Sequence, residues 1–299
     1  MKLKFITLLL LLMIFTQIVW AKDIGTTMFQ ILQLPTNAYD AALANTTTSD
    51  ELSALSNPVF IPFLSRSINL THVMFLENMK YSVGNVNLPI SDKSGINFGF
   101  CYFDSGKINR TIESGDSYIT DGDFNTTDKM FSLSYGRLIG NSFSFGAIVK
   151  FIEQTIDDTS YSSFLVGLDG LYFLSNNVFC TLGIDNFGSD VKGYSVPTNI
   201  YCGLTANMNE TTKGVVQLDN YYNESLCELK IALEKKIDNV AMRFGYIFPT
   251  KDYDGTNNSF ASNLTLGLGL DFKIIVIDYA WLPKGDLGNV HVFTVRVNF

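Results

Sequence analysis

The chain has 299 residues, among them 24 Phe and 14 Tyr, with only 17% charged side chains and a formal net charge of −8. So aromatic and weakly charged a composition is unusual for a chain surrounded by water. A net negative charge without a Lys/Arg cluster leaves nothing to neutralise phosphates, which excludes nucleic acid as a partner.

In chain order, Lys2 and Lys4 precede an apolar run from Phe5 to Val19, and Val19-Trp20-Ala21 supplies a small-residue exit. This is the layout of a cleaved signal peptide over residues 1–21; an uncleaved N-terminal anchor is the alternative, although the run is shorter than the roughly 20 residues of a spanning helix. No Cys follows it, which argues against a lipoprotein. No later apolar stretch is long enough to cross a bilayer as a helix, so a helical membrane protein is excluded.

From about residue 66 the apolar period is two. Phe131, Leu133 and Tyr135 alternate with Ser132, Ser134 and Gly136, and Phe143, Phe145, Ala147, Val149 and Phe151 with Ser144, Gly146 and Lys150. Further on, Leu229, Ile231 and Leu233 oppose Glu228 and Lys230, and Val240, Met242, Phe244 and Tyr246 oppose Ala241, Arg243 and Gly245. Alternation alone also suits a β-sandwich. Segment length decides, because these runs match the ~9 to 11 residues of a tilted transmembrane strand. Asp169, Glu228, Arg243 and Asp271 within greasy runs suit a wet lumen.

The expected strands are 66–75, 77–89, 94–104, 129–138, 142–155, 160–174, 177–186, 196–207, 213–222, 225–236, 238–249, 260–271, 273–283 and 289–299. They make an all-β fold: a closed antiparallel transmembrane barrel of about 14 strands, the even number expected of bacterial barrels. Turns such as Ile139-Gly140-Asn141 and Ser175-Asn176-Asn177 alternate with longer loops, the longest running from Ser105 to Asp128. Trp281, Tyr246, Tyr102 and Tyr172 fall towards strand ends, where such rings favour the headgroup zone. The chain closes on an aromatic residue, Phe299, similar to the signal read by the outer-membrane assembly machinery.

Chemistry-bearing residues are sparse. His72 and His291 lack the neighbours of a catalytic base, no HExxH, nucleophile elbow or phosphate loop is present, and no enzyme activity, metal or cofactor is expected. Asp116, Asp121, Asp123 and Asp128 offer carboxylates for calcium, but their spacing fits no EF-hand and a solvated loop is the simpler reading. Cys101, Cys180, Cys202 and Cys227 lie far apart in strand-like runs. They suit isolated strand cysteines better than two disulfides.

The stretch Asp278-Tyr279-Ala280-Trp281-Leu282-Pro283-Lys284-Gly285-Asp286-Leu287-Gly288-Asn289-Val290-His291 resembles the DYAxxPxGxLGxxH run that closes members of the PorV/PorQ family. These are outer-membrane barrels related to the long-chain fatty-acid transporter FadL. Phe29 to Leu34, Ala41 to Ala44 and the Asn57-Pro58 motif after Ser56 are similar to that family's N-terminal segment. Asn186-Phe187-Gly188, Pro197-Thr198 and Arg243-Phe244-Gly245-Tyr246 agree in order. The family's Arg and Gly pair near the AAL stretch is replaced by Tyr39-Asp40 and Asn45, and Val59-Phe60 stand where Ala-Gly commonly follows the NP motif.

The resemblance implies a plug or hatch over residues 22–65 inside a barrel of residues 66–299, set among outer-membrane lipids. It implies a conduit or carrier for hydrophobic small molecules. The alternatives are a secretion component that shuttles or anchors exported proteins at the cell surface, as in type IX secretion, and a purely structural barrel.

Overall fold

The computed structural model describes residues 26–48, 55–75, 79–115, 117–224, 226–249, 260–285 and 288–299. The expected signal peptide, Asp116 and Leu287 lie outside them. The strands are β1 (Ser67–Met74), β2 (Lys80–Ser91), β3 (Ser94–Asp104), β4 (Ile108–Ser114), β5 (Ser117–Phe124), β6 (Thr126–Ile139), β7 (Phe143–Ile156) and β8 (Thr159–Ser175). Then come β9 (Val178–Gly188), β10 (Asn199–Asn209), β11 (Thr212–Tyr221), β12 (Leu226–Ile237), β13 (Val240–Pro249), β14 (Leu264–Asp271), β15 (Ile275–Pro283) and β16 (Asn289–Asn298).

All but β4 and β5 form one closed antiparallel barrel of fourteen strands. It closes where β1 pairs with β16, from Ser67 opposite Asn298 to Met74 opposite His291. The backbone N–H of Phe299 adds a bond to the carbonyl of Arg66 at 3.0 Å. Closure leaves no strand edge unpaired, the condition for crossing hydrocarbon with strands.

The alternation read from the sequence is the inside and outside of this wall. In β6, Phe131 and Leu133 are half exposed outward while Ser132 and Ser134 are buried inward. In β1, Ile68 and Leu70 face out and Ser67, Asn69 and Thr71 face in. A water-soluble fold has the reverse polarity. An apolar outside around a polar inside is stable only where lipid is the outer solvent.

Short turns at 92–93, 140–142, 176–177, 210–211, 238–239 and 272–274 share one end of the barrel with Ser67 and Asn298. Gly140, Asp238 and Lys273 in these turns adopt positive φ of 63°, 51° and 69°, the left-handed geometry that tight connections need. The longer connections β3–β6 and β9–β10 lie at the other end, together with the end of β13 and the start of β14.

The structure differs from the sequence reading mainly at 105–128, expected to be one loop. It holds the hairpin β4–β5, paired only with itself, and β6 starts at Thr126. Neither strand of the hairpin has a continuous greasy face, since Arg110, Glu113, Asp121 and Asp123 interrupt the apolar residues, so the period-two signal fails there. Strand β10 begins at Asn199, not 196, because Pro197 has no N–H to give a ladder.

Candidate functional site: a plugged lumen

Residues 26–48 and 55–64 lie inside the barrel. Helix α1 (Ala38–Ala42) is wholly buried and capped by Asn37, whose side chain accepts from the Asp40 N–H at 2.7 Å. It packs against β13 to β16, whereas a 3-10 turn, Pro58–Phe63, packs across the lumen on β2, β3, β6, β7 and β8. The plug therefore spans the lumen from wall to wall.

With so little regular structure, the plug must find partners for its backbone elsewhere. The wall supplies them. Thr294 Oγ1 accepts from the Ala38 N–H at 2.8 Å, and Thr265 Oγ1 accepts from the Ala44 N–H at 3.0 Å and donates to the Ala42 carbonyl at 2.9 Å. Gln217 Oε1 accepts from the Thr47 N–H at 2.9 Å, while Thr205 and Ser144 donate to the Thr48 and Val59 carbonyls, each at 2.6 Å. Inward hydroxyls and amides thus do what water does for an exposed loop.

Close approach is also sterically arranged. A Cβ at Gly136 would stand 2.3 Å from the Pro58 carbonyl oxygen, at Gly245 2.4 Å from the Ala44 nitrogen, and at Gly267 2.3 Å from the Ala42 Cβ. At the long-loop end, the buried carboxylate of Glu224 accepts from Thr27 Oγ1, from Gln30 Nε2 at 3.0 Å and from Gln33 Nε2 at 2.9 Å. This ties the start of the plug to the β11–β12 connection.

Three buried ionic clusters line the wall. Lys150 Nζ meets both oxygens of Asp185 at 2.7 Å and Asn186 Oδ1 at 2.8 Å. Nearby, Tyr201 donates to Asp169. Lys230, almost fully buried, lies 2.9 Å from Asp219 and 3.4 Å from Glu228, and reaches the plug carbonyl of Asn45 at 3.3 Å. Arg243 bridges Glu234 at 2.8 Å and Asp278 at 2.6 Å, with its guanidinium 4.3 Å from the centroid of the Tyr39 ring. Buried ions of this kind need partners on every side, and the plug supplies part of the shell.

Among the described residues the lumen keeps several hollows, including one of about 180 Å³ between Tyr39, Arg243 and Arg296. Another of about 60 Å³ separates plug residues Ile31, Leu34 and Leu55 from Lys150, Asp219 and Lys230. A third, about 780 Å³, opens at the short-turn end below the plug. Outside, a groove of about 610 Å³ crosses β8 to β12, lined by Tyr172, Leu182, Leu204 and Leu229, with Gly170, Cys180 and Cys202 contributing little bulk.

The residues singled out in the sequence have diverse places. Asn57 is buried, caps the 3-10 turn through Val59 and donates to the Thr47 carbonyl at 3.0 Å; Pro58 follows as the first residue of that turn. Asp278 faces the lumen on Arg243, and Ala280 is buried in the apolar cluster that includes Phe29 and Ile31 of the plug. Tyr279 points outward, its hydroxyl 2.8 Å from His291 Nδ1. Pro283 ends β15, and Gly285 and Gly288 turn the chain at φ of 59° and 104°. The motif is thus an ion-pair, packing and turn device divided between both faces of the wall.

His72 also faces outward, with Nδ1 3.1 Å from Ser82 Oγ. Trp281, Tyr246 and Tyr102 fall near the long-loop end and Tyr172 near the short-turn end. The four cysteines are unbridged. Asp123 pairs with Lys107 at 2.8 Å while Asp128 is buried, and among the described residues no group of three His, Cys, Asp or Glu converges to hold a metal. Asp271 sits at the end of β14 and accepts from the Lys273 N–H at 2.7 Å, so it braces a turn instead of lining the deep lumen.

Sequence reasoning missed Glu224, Asp219, Asp185 and Glu234, and the glycines under the plug. Asp219 and Glu234 continue the inward parity of Gln217 and Lys230, which was the available signal. Glu224 lies in a connection where no periodicity applies.

The geometry defines a closed fourteen-stranded barrel with an apolar outside and with residues 26–48 and 55–64 packed across its lumen. The chain is similar to solved channels of the FadL and TodX type. A mutant of the TodX monoaromatic hydrocarbon channel superposes with a TM-score of 0.64 at 11% identity, covering 89% of this chain and 99% of that one. The Pseudomonas putida toluene transporter TodX gives 0.59 at 10% identity, covering 94% and 98%. A Pseudomonas aeruginosa FadL homologue gives 0.55 at 11%, covering 89% and 99%. No family model matches the sequence. No curated protein matches it either.

Proposed function

We propose that the protein is an outer-membrane channel for hydrophobic small molecules, made with a signal peptide over residues 1–21 and carrying residues 22–65 as its plug. The observation that carries this reading is the plug itself: a polar-lined barrel closed from within over a fold shared, nearly end to end, with TodX and FadL-type channels. An open pore passes water and ions by size. A plugged one has to bind and release its cargo, as suits an apolar solute that dissolves poorly in a water-filled channel.

We further infer, from the resemblance of Asp278 to His291 and of Asn57-Pro58 to PorV/PorQ motifs, that the chain is of the PorV/PorQ type and that Phe299 is the residue recognised during assembly. Its other partners are then outer-membrane lipids. The test is uptake of radiolabelled toluene and oleate by cells with and without the gene. Uptake that falls at least fivefold on deletion and returns on complementation supports the channel; unchanged uptake of both contradicts it.

A second reading has one specific observation in its favour. Hairpin β4–β5 exposes Tyr118 at 79% and Ile119 at 49% on the long-loop end, a suitable surface for an exported protein. Loss of secreted proteins from the cell surface on deletion of the hairpin, with uptake intact, would favour that role.

A further inference from the structure

The inner face of the wall is polar apart from two main apolar patches, and only one of them leaves rings exposed to a hollow. At the long-loop end Tyr81, Met130 and Ile152 are buried against Phe29 and Ile31 of the plug. At the short-turn end, β8 and β9 turn Leu171, Phe173 and Phe179 inward, and the plug presents Phe60 and Phe63 to them. The rings meet edge to face: Phe60 and Phe179 at 5.9 Å and 72°, Phe63 and Phe173 at 5.8 Å and 89°, Phe173 and Phe179 at 5.9 Å and 65°. They do not bury one another fully. Phe63 remains 36% exposed, and Phe173 and Phe179 are half-buried.

These rings form one side of the 780 Å³ vestibule, a volume inside the ~300–1,000 Å³ range of small-molecule sites. Packing of the plug alone does not require aromatic area left facing an open hollow, and each exposed ring carries a cost that an apolar ligand would remove. The other side of the vestibule is a rim of Asn177, Asn207, Asn209, Thr211 and Thr212. The lysines there are already committed: Lys213 and Lys236 lie 3.8 and 3.7 Å from the same Glu234 oxygen, and Glu210 adds a further negative charge. Lys235 donates to Thr211 Oγ1 and Thr212 Oγ1 at 2.8 and 3.1 Å from the outward side of β12 and does not line the hollow. The lining itself therefore offers Asn amides and balanced charges, with no surplus positive charge.

We propose that this vestibule is a binding site for an uncharged amphiphile, its aromatic or acyl body against Phe60, Phe63, Phe173 and Phe179 and a hydroxyl, ester or carbonyl head at the Asn and Thr rim. Its place on a transport route rests on the channel reading; its occupancy does not. Cargo that has passed the plug meets this surface last before the short-turn mouth.

The test is fluorine NMR of para-fluorobenzyl alcohol titrated into the purified barrel in lipid nanodiscs, with empty nanodiscs as background and para-fluorobenzoate as the charged comparison. Three variants are measured beside the wild type: the double substitution Phe173→Ser with Phe179→Ser, the plug substitution Phe63→Ser, which leaves the wall untouched, and Tyr172→Ser, whose ring faces lipid one residue away. We expect the alcohol to bind wild type and Tyr172→Ser alike, at least tenfold more weakly to the double variant and at least threefold more weakly to Phe63→Ser, and at least tenfold more tightly than the benzoate. Undiminished binding to Phe63→Ser and the double variant, or a preference for the benzoate, overturns the proposal. Should the double variant fail to fold, Phe63→Ser decides alone. Binding without cellular uptake would sink the channel reading and keep the site; uptake with no effect of these substitutions on binding would do the reverse.

Discussion

Arg243 stands between Glu234 and Asp278, both almost fully buried. Substituting Arg243→Ala takes the 2.6 Å partner from Asp278 and leaves Glu234 only Lys213 and Lys236 at 3.8 and 3.7 Å, and loss of one partner of a buried pair costs about 3–5 kcal/mol. A urea titration of the purified barrel followed by tryptophan fluorescence should show the midpoint fall accordingly. Arg243→Lys should recover part of the loss, because an ammonium keeps the charge but not the two-sided fork. Gly136 makes the complementary case: a Cβ there meets the Pro58 carbonyl at 2.3 Å and the Ile61 Cβ at 2.8 Å. Gly136→Val is expected to expel the plug while leaving the wall closed, read as new protease cleavage within 55–65 on a barrel that still resists detergent. Arg243 was visible in the sequence as an ion on a greasy strand. Gly136 was visible only as a small residue, because what it makes room for comes from a segment 78 positions earlier.

Elements show the same divide. The barrel strands were legible because lipid on one side and a polar lumen on the other force a strict period of two over 8 to 17 residues. Hairpin β4–β5 has water on both sides, so nothing imposes a greasy face, and its strands were hidden in an expected loop. Its independence has a consequence. Strands β3 and β6 pair directly, and the Ser105 N–H bonds the Thr126 carbonyl at 2.9 Å at the hairpin's base. The link from hairpin to barrel by Arg110 and Asp157 is an exposed ion pair at 2.5 Å, of a kind worth ~0–1 kcal/mol. Deleting residues 107–124 should leave the urea midpoint within about 1 kcal/mol of wild type; a larger loss would mean that the hairpin braces the wall. What residues 26–48 and 55–64 pack against was not legible, since nothing in a short polar-apolar mixture states its partner.

For the whole molecule the defining property is inverted polarity, and it carries a depth dependence. Leu133, half exposed in the middle of β6, and Ile237, half exposed at the short-turn end of β12, both face outward. Arginine on the lipid face costs ~2–4 kcal/mol at the midplane and ~0–1 near the interface. Leu133→Arg should therefore destabilise the barrel in liposomes far more than Ile237→Arg, and equal effects would place the bilayer elsewhere. Strand number and alternation were readable from the chain. The lumen's hollows were not, because their shape depends on how the plug crosses the barrel.

The most direct measurement is gel mobility of the protein from urea-washed outer membranes, with and without boiling. A closed barrel embedded in lipid stays in the washed membrane and runs at a different apparent size until heated, which is the result this account predicts. Release by urea together with a single heat-independent band would contradict it.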